Sequence, residues 1–210
     1  EGSIDNLIKL HERGAKYLTL TWNYNVPWAS CAAMESDKMD PKEKGLTDHG
    51  KAIIKKMNEL GMLVDLSHGG EQTFYDVIAT SNKPILVSHS NAYSLCPHFR
   101  NLKDEQLAAL KKNGGVIGVN FYSGFLDPSY ETRLKKIYRR QFGREADPKL
   151  STWSIYDSLP KEAQYEADAP MDKLLDHIDY LVEKVGVDHV AVGSDFDGIE
   201  SSPQRLEDVS

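Results

Sequence analysis

The chain has 210 residues, a formal net charge of −7 from 25 Lys and Arg against 32 Asp and Glu, and 40% hydrophobic residues. That composition supports a sizeable core and excludes a disordered chain, and its acidic balance argues against nucleic acid or an anionic membrane surface as partner. No apolar run reaches the roughly 20 residues of a membrane span, and two cysteines, Cys31 and Cys96, are too few for a disulfide framework and are expected as free thiols.

Residues 3–14 predict an amphipathic helix, with Ile4, Leu7, Ile8 and His11 on one face and Gly14 as its stop. Residues 17–21 predict a strand that opens into a loop dense in aromatics and amides, Trp22 to Trp28. Such a loop either packs on the scaffold or lines a pocket. Residues 29–46, small, polar and charged, read as surface loop. Thr47 then caps a helix to about Leu60, whose Ile53, Ile54, Met57 and Leu60 form one stripe ending at Gly61.

Residues 62–66 and 84–88 are short apolar runs suited to strands covered on both faces, and a helix over 71–80 separates them. Each run finishes on Ser-His, at Ser67-His68 and Ser88-His89. A strand–helix–strand unit is parallel, so both histidines leave the same edge of one sheet, where ligands of such sheets bind. A lone strand-end histidine is usually structural; two at equivalent positions point to a shared metal ion. Arg100 ends the loop after His89, and a solvated surface charge is the usual fate of such a residue.

Residues 103–112 predict a helix and 116–121 a fourth strand. Residues 127–170 are charged and rich in Tyr and Pro. They read as a long βα loop with one basic helix around 131–140: a solvated insertion, or else a lid or an oligomer contact such as a homodimer interface. Residues 171–185 carry the broadest apolar helix face. A further buried strand over 189–194 ends on Asp195, a carboxylate that can complete a metal site or act as a general base. Beyond Ile199 the sequence is polar and shows no structural closure.

Five strands alternating with helices predict an α/β fold with a parallel sheet, and polar residues at the strands' carboxyl ends favour a (β/α)8 barrel. A complete barrel takes about 250 residues. Residues 1–210 are therefore expected to form a single domain that supplies the carboxyl-terminal part of a barrel, roughly its last five strands.

Several motifs in fixed order carry a specific resemblance. They are Tyr-Leu-Thr-Leu-Thr (17–21) with Asn25 and Pro27-Trp28, Leu-Val-Asp-Leu-Ser-His (63–68), Ser-His-Ser-Asn-Ala-Tyr (88–93) and Arg100-Asn101. Val119-Asn120-Phe121-Tyr122 and Gly193-Ser194-Asp195-Phe196-Asp197-Gly198 follow. Together they resemble the membrane (renal) dipeptidase family of binuclear zinc peptidases, in a bacterial-type member of the cytoplasm or periplasm. The resemblance implies a (β/α)8 TIM barrel that hydrolyses dipeptides, including those with a D-residue at the carboxyl end, through a metal-bridged hydroxide. It implies two zinc ions in the complete protein. His68 and His89 match the ligands of one, Asp195 the acid that handles the water's proton, and Arg100 the group that binds the substrate carboxylate. Asn25 and Tyr122 fall where substrate contacts are expected.

Three departures stand out. The resemblance places a His-x-Asp pair and a bridging glutamate on earlier strands, and Glu1 sits too close to the first helix to be that glutamate. Animal members have a histidine where this chain has Trp22, leaving Asn23 or the Trp22 indole N–H as substitute donors to the substrate carbonyl. Cys96 matches a disulfide-bonded cysteine of animal members but has no partner after Tyr122. Two other readings remain open at this stage: another binuclear-metal barrel hydrolase acting on amides, lactones or phosphoesters, or an inactive remnant lacking the first half-site.

Overall fold

The computed structural model describes residues 2–36, 43–206 and 208. Glu1 and residues 37–42 of the stretch read as surface loop lie outside them. Strands β1 (Tyr17–Thr19), β2 (Leu63–Asp65), β3 (Leu86–Ser90), β4 (Val116–Val119) and β5 (Val190–Val192) form one sheet in that order, every neighbouring pair parallel. Chain order equals spatial order, as in consecutive βα units of a barrel wall.

Helix α1 (Ile4–Glu12) precedes β1, and helices α2 (Ala32–Ser36), α3 (Asp48–Leu60), α4 (Glu71–Thr80) and α5 (Asp104–Asn113) connect the first four strands. Thr47 caps α3 by accepting the Gly50 N–H at 3.2 Å, and Gly61 ends it in the left-handed conformation, φ 71°. Helix α10 (Met171–Val185) leads into β5 through a 3-10 turn, Val187–His189. Ile53, Ile54 and Met57 of α3, Phe74 and Val77 of α4, Leu107 and Leu110 of α5, and Leu181 and Val185 of α10 pack against Val64, Val87 and Ile117 of the strands. Each such buried side chain contributes about 1.5–3 kcal/mol, so this helix-covered face holds the sheet together.

Between β4 and α10 the chain forms α6 (Ser123–Leu126), α7 (Tyr130–Phe142), α8 (Thr152–Asp157) and α9 (Lys161–Ala167). This corrects the reading of 127–170 as a solvated loop with one helix. Tyr130, Leu134, Ile137 and Tyr138 close with Ile155, Tyr156, Leu159, Ala163 and Ala167 into a second core. Interspersed charges masked that periodicity in sequence; Arg133 is one, spanning to Asp127 at 2.6 Å and to the Ala167 carbonyl.

Three further expectations change. Ala29 to Ala32 and Leu46 are buried and α2 lies within the stretch read as surface loop, because Glu35 turns inward to accept the Gln72 N–H of α4 at 2.9 Å. Residues 201–206 are not free of the fold: Ser123 donates its N–H to the Ser201 carbonyl at 3.2 Å and Gln204 to that of Ala169 at 2.9 Å. Finally, β5 is not buried, with Val192 71% exposed, because among the described residues it pairs only with β4.

His177 of α10 is fully buried and ties the layers together. Its Nδ1 accepts the Ala92 N–H at 3.1 Å, and its Nε2 contacts the Leu126 carbonyl at 3.2 Å. Burial, opposed by the Leu126 hydrogen bond, pushes its pKa from 6.5 down to about 4. Between those values the unfolded chain binds a proton that the folded chain refuses, so stability falls as pH falls. The expected loss is about 3 kcal/mol across the window. Denaturant unfolding at pH 7 and pH 4.5 checks this: His177→Gln should flatten the slope by this share. An unchanged slope would contradict it.

Candidate metal centre

His68 lies three residues past the end of β2, whereas His89 lies within β3 at an irregularity. Val87 aligns with Ile117 but Ser90 with Val119, so one extra residue is accommodated at Ser88-His89. Such bulges re-aim side chains, and they are rare between parallel strands. Glycines permit this one: a Cβ on Gly118 would fall 2.1 Å from the Ser88 carbonyl oxygen, and one on Gly193 only 1.9 Å away.

The bulge brings His89 Nε2 within 3.1 Å of His68 Nε2, the rings 5.1 Å apart and edge-to-face at 68°. Both imidazoles are held neutral. Burial, reinforced by Arg100 and His89, pushes His68 down to about 3; burial, against the pull of Asp195, also lowers His89. The His68 Nδ1–H points at Asn23 Oδ1, 3.1 Å away, which leaves its Nε2 lone pair free. Two nitrogens 3.1 Å apart subtend about 98° at a zinc ion about 2.0–2.1 Å from each, close to a tetrahedral edge. The pair therefore fits half of a zinc site. Among the described residues, no group of three or more His, Cys, Asp and Glu could hold a metal.

Asp65 lies fully buried beneath the histidines. Its carboxylate accepts from Thr19 Oγ1 at 2.6 Å, Ser67 N at 3.2 Å, Ser67 Oγ at 2.8 Å, Ser88 N at 2.9 Å and Ser88 Oγ at 2.8 Å. Burial pushes its pKa up, but these donors outweigh it and hold the group below the usual carboxylate value. Sequence reasoning passed over this residue, although a carboxylate inside an apolar strand run was itself a signal.

Arg100 is buried, only 8% exposed, which overturns the solvated-charge expectation. Its Nε donates to the Ser67 carbonyl at 2.8 Å and its guanidinium carbon lies 5.4 Å from the Phe125 ring centroid. One terminal nitrogen, Nη2, is buried without a hydrogen-bond partner, and no carboxylate of the described residues pairs with it within 4.0 Å. Burial lowers its pKa to about 10, with Asp195 and Asp65 opposing, so it stays charged at neutral pH.

Asp195 sits at the end of β5 with φ 63°, in the left-handed region. Asn120 Nδ2 donates to its Oδ2 at 3.1 Å, and a Cβ on Gly198 would fall 2.3 Å from its Oδ1. Trp22 is 63% exposed, its ring 6.4 Å from that of His68. Asn25 Oδ1 accepts the Cys31 N–H at 2.9 Å, and Tyr122 donates its hydroxyl to Glu200 at 2.8 Å. Cys31 and Cys96 are free and buried.

All 210 residues, 1–210, match the family described as membrane dipeptidase (peptidase family M19). The chain belongs to the membrane dipeptidase family. It is 35% identical over 208 residues to an uncharacterized dipeptidase of Schizosaccharomyces pombe, covering 99% of this chain and 41% of that one. It is 34% identical over 209 residues to dipeptidase aclJ of Aspergillus oryzae, covering 100% and 40%. Among solved structures, the probable dipeptidase PvdM of Pseudomonas aeruginosa superposes with a TM-score of 0.72 at 29% identity, over 92% of this chain and 54% of that one. A Rhodobacter sphaeroides metallopeptidase, solved with a phosphinate mimic of the dipeptide L-Ala-D-Ala, gives 0.71 at 29% identity over 97% and 48%. The chain thus spans about two fifths of its curated relatives, and its sheet is the five-strand portion of a (β/α)8 metallo-hydrolase barrel.

Proposed function

We propose that a protein carrying this chain together with the barrel's other strands is a zinc-dependent dipeptidase. One juxtaposition carries the reading: two converging imidazole nitrogens 3.1 Å apart, beside a buried guanidinium that lacks a carboxylate partner. Arg100 is tied to the Ser67 carbonyl, one residue before His68, so anion site and metal site share one strand end. The second zinc half-site would come from the earlier strands. Zinc bound there would polarise the scissile carbonyl and acidify the attacking water.

The chain's own residues do the rest. His68 and His89 hold one ion. Asp195, fixed through Oδ2 by Asn120, takes the water's proton and passes it to the leaving amine. Arg100 binds the substrate's terminal carboxylate, which sets the distance to the peptide bond and restricts the substrate to two residues. Asn25 and Tyr122 complete the substrate contacts. A D-residue at the carboxyl end is included in the range, as the ligand of the Rhodobacter sphaeroides relative suggests. Arg100 favours this reading over lactone or phosphoester hydrolysis, which needs no carboxylate clamp. No helix among the described residues is long and apolar enough to cross a membrane.

The test is hydrolysis of dipeptides with L- and D-residues at the carboxyl end, before and after chelation. Activity should vanish with the chelator and return with zinc. Chelator-resistant hydrolysis, or a preference for lactones, would refute the proposal.

A further inference from the structure

Beneath His89 lies a chain of hydrogen bonds that the proposed reaction does not use directly. Ser88 Oγ has one proton and three neighbours: Asp65 Oδ2 at 2.8 Å, Ser67 Oγ at 2.9 Å and His89 Nδ1 at 2.8 Å. Ser67 Oγ likewise has one proton; it faces Asp65 Oδ1 at 2.8 Å and already accepts the His89 backbone N–H at 3.0 Å. The carboxylate is the strongest acceptor in the cluster, so it takes the serine protons. With its proton committed to Asp65, Ser88 Oγ can only accept from His89. That requires the Nδ1–H tautomer, with the lone pair on Nε2.

We propose that Asp65 is a positioning residue that acts through Ser88 to fix the His89 tautomer, keeping Nε2 open to a metal ion. It rests on the metal site proposed above, and deepens it. A histidine ligand commonly gives its second N–H to a carboxylate; here a serine hydroxyl stands between them. The bulge explains the intermediary. It places Ser88 on the same side as Asp65 and Thr19, and Asp65 then joins β1, β2 and β3 through Thr19, Ser67 and Ser88.

Asp65→Asn keeps the shape but reverses the polarity. An amide NH2 facing Ser88 turns the hydroxyl proton towards His89 Nδ1, and the ring must then carry its proton on Nε2. Ser88→Ala removes the relay and leaves Asp65 in place. Thr19→Val removes one hydrogen bond to Asp65 without touching the relay, and serves as the structural control.

The experiment uses the full-length protein, freed of metal and labelled with 15N-histidine. The His89 nitrogen shifts report its tautomer, and competition with a zinc chelator reports affinity. Wild type and Thr19→Val should show Nδ1–H on His89. Asp65→Asn should show Nε2–H, and both Asp65→Asn and Ser88→Ala should bind zinc about 10–100-fold more weakly. If Asp65→Asn does not fold, Ser88→Ala still decides the matter. Wild-type tautomer and affinity in Ser88→Ala, or equal losses in Thr19→Val, would overturn the proposal. Wild-type protein that takes up no zinc would instead refute the metal site, while the tautomer comparison would still decide the role of Asp65.

Discussion

His68→Ala or His89→Ala in the full-length protein is expected to lower kcat/KM for dipeptides by about 1,000-fold or more. Several kcal/mol of lost carbonyl polarisation correspond to a factor of that size. Zinc per chain should fall by at least one ion, since two imidazoles form the whole of this chain's half-site. The fold should persist, because neither ring carries a charge or a salt bridge: burial holds both neutral. The metal-free variants should therefore be about as stable as the metal-free wild type. A chelator should lower the wild-type Tm but leave the variants nearly unchanged, since only a site that binds zinc gains stability from it. Full zinc content with full activity in either variant would remove His68 and His89 from the site.

Arg100→Ala is expected to lower kcat/KM by about 30- to 1,000-fold, the range of about 2–4 kcal/mol for a desolvated charge pair broken on one side. Most of the change should be in KM. Arg100→Lys should recover only part, because an ammonium cannot form the forked pair with a carboxylate. The effect on stability should run the other way. The guanidinium is buried, one nitrogen has no hydrogen-bond partner, and no carboxylate of the described residues pairs with it within 4.0 Å, so only the more distant Asp195 and Asp65 offset its charge. Arg100→Met should therefore leave the unliganded protein as stable as wild type or more so. Loss of activity with unchanged or raised Tm marks a group held for its ligand. Dipeptides amidated at the carboxyl end should be poor wild-type substrates and should lose little further in Arg100→Ala. A normal KM in the Ala variant would assign the arginine to the scaffold.

The sequence made the sheet and its carboxyl-end histidines legible because both depend on local pattern. Apolar runs bounded by glycine and polar residues mark β1 to β5, and the bounds of α4 and α10 follow directly from their apolar stripes. The bulge at Ser88-His89 was not legible, since it depends on the closeness of Gly118 and Gly193 to the Ser88 carbonyl, contacts far apart in the chain. Nor was the burial of Arg100, which comes from Phe125 and Ser67 closing over a residue whose type is usually solvated. The helices α7 to α9 hid for a different reason. Their apolar residues pack on one another rather than on the sheet, so charged residues cover the outward faces and dilute the local pattern. Asn23 shows the same limit. Its type suggested a donor to a substrate carbonyl, but not that its amide oxygen would also face His68 Nδ1 and orient that ring.

The most direct measurement is anomalous diffraction at the zinc edge from crystals of the full-length protein grown with zinc. A peak is expected about 2.0–2.1 Å from both His68 Nε2 and His89 Nε2, with a second zinc roughly 3.5–4 Å away on the side of the earlier strands. Zinc bound elsewhere, with His68 and His89 facing each other 3.1 Å apart and no ion between them, would contradict it.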